Sequence, residues 1–169
     1  MITGPNTHPG SGDVFSHKKE MRLFEEILLD IDNRKNPVMM EVGCYWALWS
    51  RLFRKKFIPE AGETNGLVGP NLEFLDIWNK EGIDAIDLLH MDVQGSELAI
   101  IASITGLLQQ KKIKNIIVAT HSLAIHAAIL EMLSLTHEVK SNMPNNLGDD
   151  VNNDELGDGY IYAKAKTDV

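Results

Sequence analysis

Three short apolar runs, residues 38–42, 85–91 and 115–119, each give way to a turn or polar pair and then to a stretch with helical spacing. Strands alternating with helices of ten to fifteen residues specify a mostly parallel sheet with right-handed crossovers and helices on both faces. The second run is apolar except for Asp87 and His90, as expected of a strand covered on both sides. In such sheets ligands bind beyond the carboxyl ends of the strands. The residues at those ends are therefore the candidates for chemistry.

The other elements follow from the same reading. Met21, Leu23, Phe24, Ile27, Leu28 and Ile31 recur at helical spacing and predict a helix over residues 17–32, after an irregular segment at 1–16. Residues 46–57 predict a helix with a basic outer face, residues 65–69 a weak strand, and residues 71–80 a helix ended by Gly82. One helix is expected over 96–111 and another over 123–135. Residues 136–142 and 159–165 read as a final antiparallel pair, separated by a polar, acidic loop. A chain of 169 residues fits one domain, here 17–169.

Composition excludes several classes. The formal charge is −8 with the basic residues mostly scattered, so nucleic acid is not an expected partner. Cys44 is the only cysteine, which rules out an internal disulfide and a cysteine-based zinc cage. The start of the chain does not read as a signal peptide, and no run reaches the roughly 20 apolar residues a membrane helix needs, so a cytoplasmic location and no membrane partner are expected. There is no G-x-G-x-x-G, phosphate-binding loop, H-E-x-x-H or G-x-S-x-G.

The strand-end candidates are Glu41 with Gly43, Asp92 with Gln94 and Gly95, and Thr120 with His121. Each has a plainer reading beside the functional one. Glu41 and Asp92 suit helix capping, Gly43 a tight turn, and His121 a structural role as well as general base or substrate contact. His126 lies five residues beyond His121, which is not the spacing of two ligands on one helix face, so a shared metal is not expected. His126 reads as a packed or surface residue and His90, inside a strand, as structural.

The stretch I-D-L-L-H-M-D-V-Q-G-S-E, residues 86–97, resembles the signature of the FkbM-type methyltransferases, in which an apolar strand ends in D-x-E-G or D-x-Q-G before a helix starting near a Glu. Residues 116–120 running into His121, Ser122 and His126, and Asp158-Gly159-Tyr160 opening the last strand, look like that family's C-terminal half. M-E-V-G-C-Y-W-A-L-W-S, residues 40–50, is similar to a Trp-bearing variant of its first motif. The resemblance implies a Rossmann-like open methyltransferase sheet with strand order 3-2-1-4-5-7-6 and S-adenosylmethionine as cofactor. It implies that Glu41, Gly43 and Cys44 line the cofactor pocket. Asp92 and Gln94 would lie at the reaction end, and His121 would face the substrate.

Two departures stand out. The family's second strand ends in an acid before Pro that holds the cofactor ribose, whereas here Gly69 precedes Pro70. Residues 71–84 leave room for one helix, so the third strand is expected to be missing. The resulting expectation is O-methylation of a small-molecule or sugar hydroxyl, with Asp92 and His121 as catalytic candidates. A catalytically inactive scaffold is the alternative, and a metal-dependent hydrolase using Asp92 and His121 ranks behind both. An uncovered strand at 65–69 would favour a homo-oligomer.

Overall fold

The computed structural model describes residues 11–31, 36–43, 48–57, 74–144 and 159–167. The elements run α1 (Ser11–Ile31), β1 (Met39–Val42), α2 (Leu48–Phe57), α3 (Phe74–Lys80), β2 (Leu88–Met91), α4 (Glu97–Ser103), α5 (Thr105–Gln109), β3 (Asn115–Thr120), α6 (Leu123–Thr136), β4 (His137–Met143) and β5 (Gly159–Ala165). They build a five-stranded mixed sheet of order β1-β2-β3-β5-β4. Strands β1, β2 and β3 are parallel, while β5 runs antiparallel to both β3 and β4. The α/β class and the antiparallel edge pair agree with the sequence reading. The expected strand at 65–69 lies outside the described residues, as do Gly69, Pro70 and the acidic loop. Among the described residues β1 is an edge strand and no further strand stands between it and β2.

Alternation along the strands divides the core in two. On one face Leu89, Met91, Ile116, Val118, Ile161 and Ala163 pack with Phe74 and Trp78 of α3, Ile101 of α4, Leu108 of α5 and Ile129 and Leu133 of α6. On the other, Leu88, Ile117 and Tyr162 meet Phe24, Ile27, Leu28 and Ile31 of α1 and Trp49 and Phe53 of α2. Successive strand side chains point to opposite faces, so a strand apolar at every position must be covered twice. All six residues of β3 are buried.

The helices differ from expectation in two places. Helix α1 begins at Ser11, ahead of the expected start at His17 and inside the segment expected to be irregular. The single helix expected over 96–111 is broken at Ile104 into α4 and α5. Ser103 Oγ donates to the Ile100 carbonyl at 2.8 Å and Thr105 Oγ1 to the Ala102 carbonyl at 2.8 Å. Such back-bonding competes with the helical ladder and bends it, and Gly106 adds little helix propensity to resist. Helix α3 ends as expected: Gly82 has φ +60°, Ile83 N–H bonds to the Trp78 carbonyl at 3.1 Å and Gly82 N–H to that of Asn79 at 3.3 Å. That is the paired closure of a Schellman turn.

A buried polar chain joins three parts of the sheet. Tyr162 donates its hydroxyl to Asn115 Oδ1 at 3.0 Å, and Asn115 Nδ2 donates to the Asp87 carbonyl at 2.9 Å. Burial pushes the Tyr162 phenol up to about 12, with the charges of Asp30 and Glu26 adding to the effect. Below its ordinary value of 10.0 the phenol is neutral in both folded and unfolded chains. Above it the unfolded chain releases the proton first, so stability falls as pH rises from there towards 12. The loss expected is about 2–3 kcal/mol, at 1.36 kcal/mol per unit. Urea midpoints at pH 9 and pH 11.5 measure it; a Tyr162→Phe chain losing as much over that range would assign the alkaline sensitivity elsewhere.

No helix among the described residues is long and apolar enough to cross a membrane.

Candidate active site

The carboxyl ends of β1, β2 and β3 meet at one rim of the sheet. Val42 pairs with Met91, and Asp92 N–H bonds to the Val42 carbonyl at 2.9 Å. The chain then turns at Gly43, with φ +87°, so tightly that a Cβ there would lie 1.6 Å from the Asp92 carbonyl oxygen. Only a residue without a side chain fits such an approach. Glycine at this position is what allows the first two strand ends to converge.

After β2 the chain makes a second tight turn. Gln94 has φ +53° and Gly95 φ +100°, and α4 starts at Glu97. The Glu97 side chain is fully buried and folds back over the turn. Its Oε1 accepts from the N–H of Val93 at 3.3 Å and of Gly95 at 2.9 Å, and Oε2 accepts from Gly95 at 3.1 Å.

His121 arrives from the end of β3, just before Ser122 caps α6 by accepting from Ile125 N–H at 3.2 Å. Its Nδ1 is 2.7 Å from Glu97 Oε1. An ionised carboxylate only accepts, so Nδ1 carries the proton and Nε2 is left as an acceptor. Gln94 Nε2 donates to that Nε2 at 2.9 Å, and Asp92 Oδ1 stands 3.3 Å from it. The imidazole is mostly shielded, with 14% of its side chain exposed, whereas Asp92 is 39% exposed. The arrangement is a weak base held at the edge of solvent, beside a carboxylate able to stabilise positive charge.

Asp92, Glu97 and His121 each offer a ligand atom within 4.8 Å of the others. Glu97 Oε1 and His121 Nδ1 are engaged with one another, which leaves His121 Nε2 and the Asp92 carboxylate. Catalytic zinc sites use three protein ligands, so the donor set suits proton transfer better than metal binding.

Of the candidates read from sequence, the structure brings together Gly43, Asp92, Gln94 and His121. Glu41 points away from this group, and its Oε2 accepts from the backbone N–H of Ser50 at 2.8 Å and from the Ser50 hydroxyl, fixing the first turn of α2. This is the capping reading of that residue. Cys44 lies outside the described residues. His126 belongs to a separate buried network, with Thr120 Oγ1 at 2.8 Å from Nδ1 and Asn142 Oδ1 at 2.7 Å from Nε2. His90 is buried against Trp49, ring centroids 5.0 Å apart. Glu97 is a site residue that the strand-end reading misses. A Glu in the first turn of a helix reads as a complement to the helix dipole, and the one hint of more is its place at the end of the 86–97 stretch.

Neither a curated protein nor a solved structure gives a significant match. The family model for the methyltransferase FkbM domain matches residues 63–149, about half of the chain, and spans the turn after β2, all of β3 and the His121 position. The chain belongs to the FkbM methyltransferase family.

Proposed function

We propose that this chain is an S-adenosylmethionine-dependent O-methyltransferase acting on a hydroxyl of a small molecule or sugar, with His121 as general base. The observation that carries the reading is the convergence of Asp92, Gln94 and His121 within hydrogen-bonding reach, beside the Gly43 turn. The strand order supports it. Sheet order β1-β2-β3-β5-β4 corresponds to the 1-4-5-7-6 portion of the methyltransferase order, and in a Rossmann-like sheet of that kind ligands bind beyond the ends of β1, β2 and β3.

The residues present fit the methionine end of the cofactor. Gly43 is exposed, giving a ligand access to backbone, and the partly exposed Asp92 carboxylate complements a cationic sulfonium or ammonium. Gly43, Asp92 and Gln94 would hold that end, with Glu41 acting at one remove by fixing α2. When bound, the cofactor supplies an electrophilic methyl group on sulfur. What the chain itself must provide is alignment and removal of a proton. An acceptor hydroxyl taking the place of the Gln94 amide would lie at His121 Nε2. There Nε2 would take the proton of that hydroxyl, and the oxygen so freed would accept the methyl group that the cofactor supplies. Asp92, 3.3 Å away, stabilises the resulting imidazolium.

A non-catalytic scaffold is the second reading, favoured by Gly69 where the family has the acid that holds the ribose. Isothermal titration with S-adenosylhomocysteine separates the two. The enzyme reading expects saturable binding, weakened about tenfold or more in Asp92→Ala, as for loss of one charged contact. A folded chain that gives no heat of binding would leave the scaffold.

A further inference from the structure

The reading of His121 as base leaves Glu97 without a part, and its placement is costly. A fully buried carboxylate loses its hydration and persists only where donors replace it. The amides of Val93 and Gly95 supply some of that replacement, and a neutral polar side chain would serve them as well. What a neutral side chain does not supply is a negative charge, on a group whose two oxygens both only accept, placed 2.7 Å from His121 Nδ1.

We propose that Glu97 is the positioning residue of this site: its buried carboxylate holds His121 in the Nδ1–H form, so that Nε2 faces Asp92 and Gln94 as the proton acceptor. The inference rests on the proposed role of His121. Glu97 touches neither the acceptor nor the methyl donor. It acts through the imidazole, in the manner of the carboxylate that orients histidine in hydrolase triads. As the hydroxyl proton reaches Nε2, the imidazole becomes imidazolium, with Glu97 ionised on one side and Asp92 on the other. No proton moves on to Glu97.

The same carboxylate ties the two strand ends to one another. It grips the turn after β2 through Val93 and Gly95, and it grips β3's end through His121. A movement of the turn therefore moves the imidazole with it, keeping Gln94 and Asp92 in register with Nε2.

Long-range proton–nitrogen NMR spectra of the full ¹⁵N-labelled chain at pH 8 test the proposal without any substrate, with the His121 signals assigned by their loss in His121→Asn. The expected pattern is a protonated Nδ1 and an unprotonated Nε2. A neutral His121 carrying its proton on Nε2, the form free imidazole side chains prefer in water, would overturn it. Glu97→Gln then keeps an acceptor and removes the charge. Turnover, read as S-adenosylhomocysteine released with a hydroxyl acceptor, is expected to fall about 10²-fold, while the affinity for S-adenosylhomocysteine stays within about twofold. Undiminished turnover in a folded Glu97→Gln chain would reduce Glu97 to a turn anchor and overturn the proposal. If no acceptor turns over even in the unaltered chain, the methyltransferase reading fails by itself. An Nδ1–H form would then still support the hold of Glu97 on His121.

Discussion

Gly43→Ala is expected to destabilise the chain by about 3–5 kcal/mol, combining the strain of a side chain at positive φ with backbone overpacking. The Cβ would lie 1.6 Å from the Asp92 carbonyl oxygen and 3.0 Å from Val93 Cγ1. The first of these is main chain, anchored by the Asp92 N–H bond to the Val42 carbonyl at 2.9 Å, and has no rotamer by which to yield. Relief requires β1 and β2 to part at the rim where Asp92 and His121 meet. Gly82→Ala is the matched control. Gly82 also has positive φ, +60°, but nothing lies within 4 Å of its missing Cβ. That substitution should cost only the conformational strain, about 1 kcal/mol. Urea denaturation of both variants measures the difference. If Gly43→Ala loses no more than Gly82→Ala, the turn at β1 is not pressed against the end of β2.

The fold is legible where a strand's composition reports two-sided burial. Ile116, Ile117 and Val118 read as a buried strand because no polar position interrupts them, and in the structure they fall alternately into the two cores. The antiparallel pair is legible from the polar stretch that separates its strands, β5 occupying residues 159–165 as read from the sequence. The break at Ile104 is not, because the hydrophobic spacing continues across it. What interrupts the helix is the competition of the Ser103 and Thr105 hydroxyls for backbone carbonyls, which periodicity does not register. At the site, Asp92 and His121 are legible because polar residues end otherwise apolar strands. Glu97 is not, since its burial depends on a turn folding over it and on a histidine that is distant in sequence. Glu41 is legible as a strand-end acid, but its choice between ligand and helix cap depends on where Ser50 falls in space.

His121→Asn is expected to lower methyl transfer by about 10²–10⁴-fold, the usual contribution of a positioned general base. The asparagine amide nitrogen can take the place of Nδ1 and go on donating to Glu97, so the buried carboxylate keeps its partner and the fold is spared the cost of stranding it. What asparagine lacks is a second nitrogen with a lone pair where Nε2 stands, 2.9 Å from Gln94 and 3.3 Å from Asp92. Cofactor affinity should change little, because on the proposed reading the methionine end is held by Gly43, Asp92 and Gln94. His126→Asn supplies the contrast. That residue bridges Thr120 and Asn142 across β3, α6 and β4, so its loss should appear as a lower melting temperature with turnover retained below it. The measurement is S-adenosylhomocysteine release with a hydroxyl acceptor, alongside thermal melts of both variants. Full turnover in His121→Asn would move the base to Asp92, which stands at the same rim within reach of the same proton.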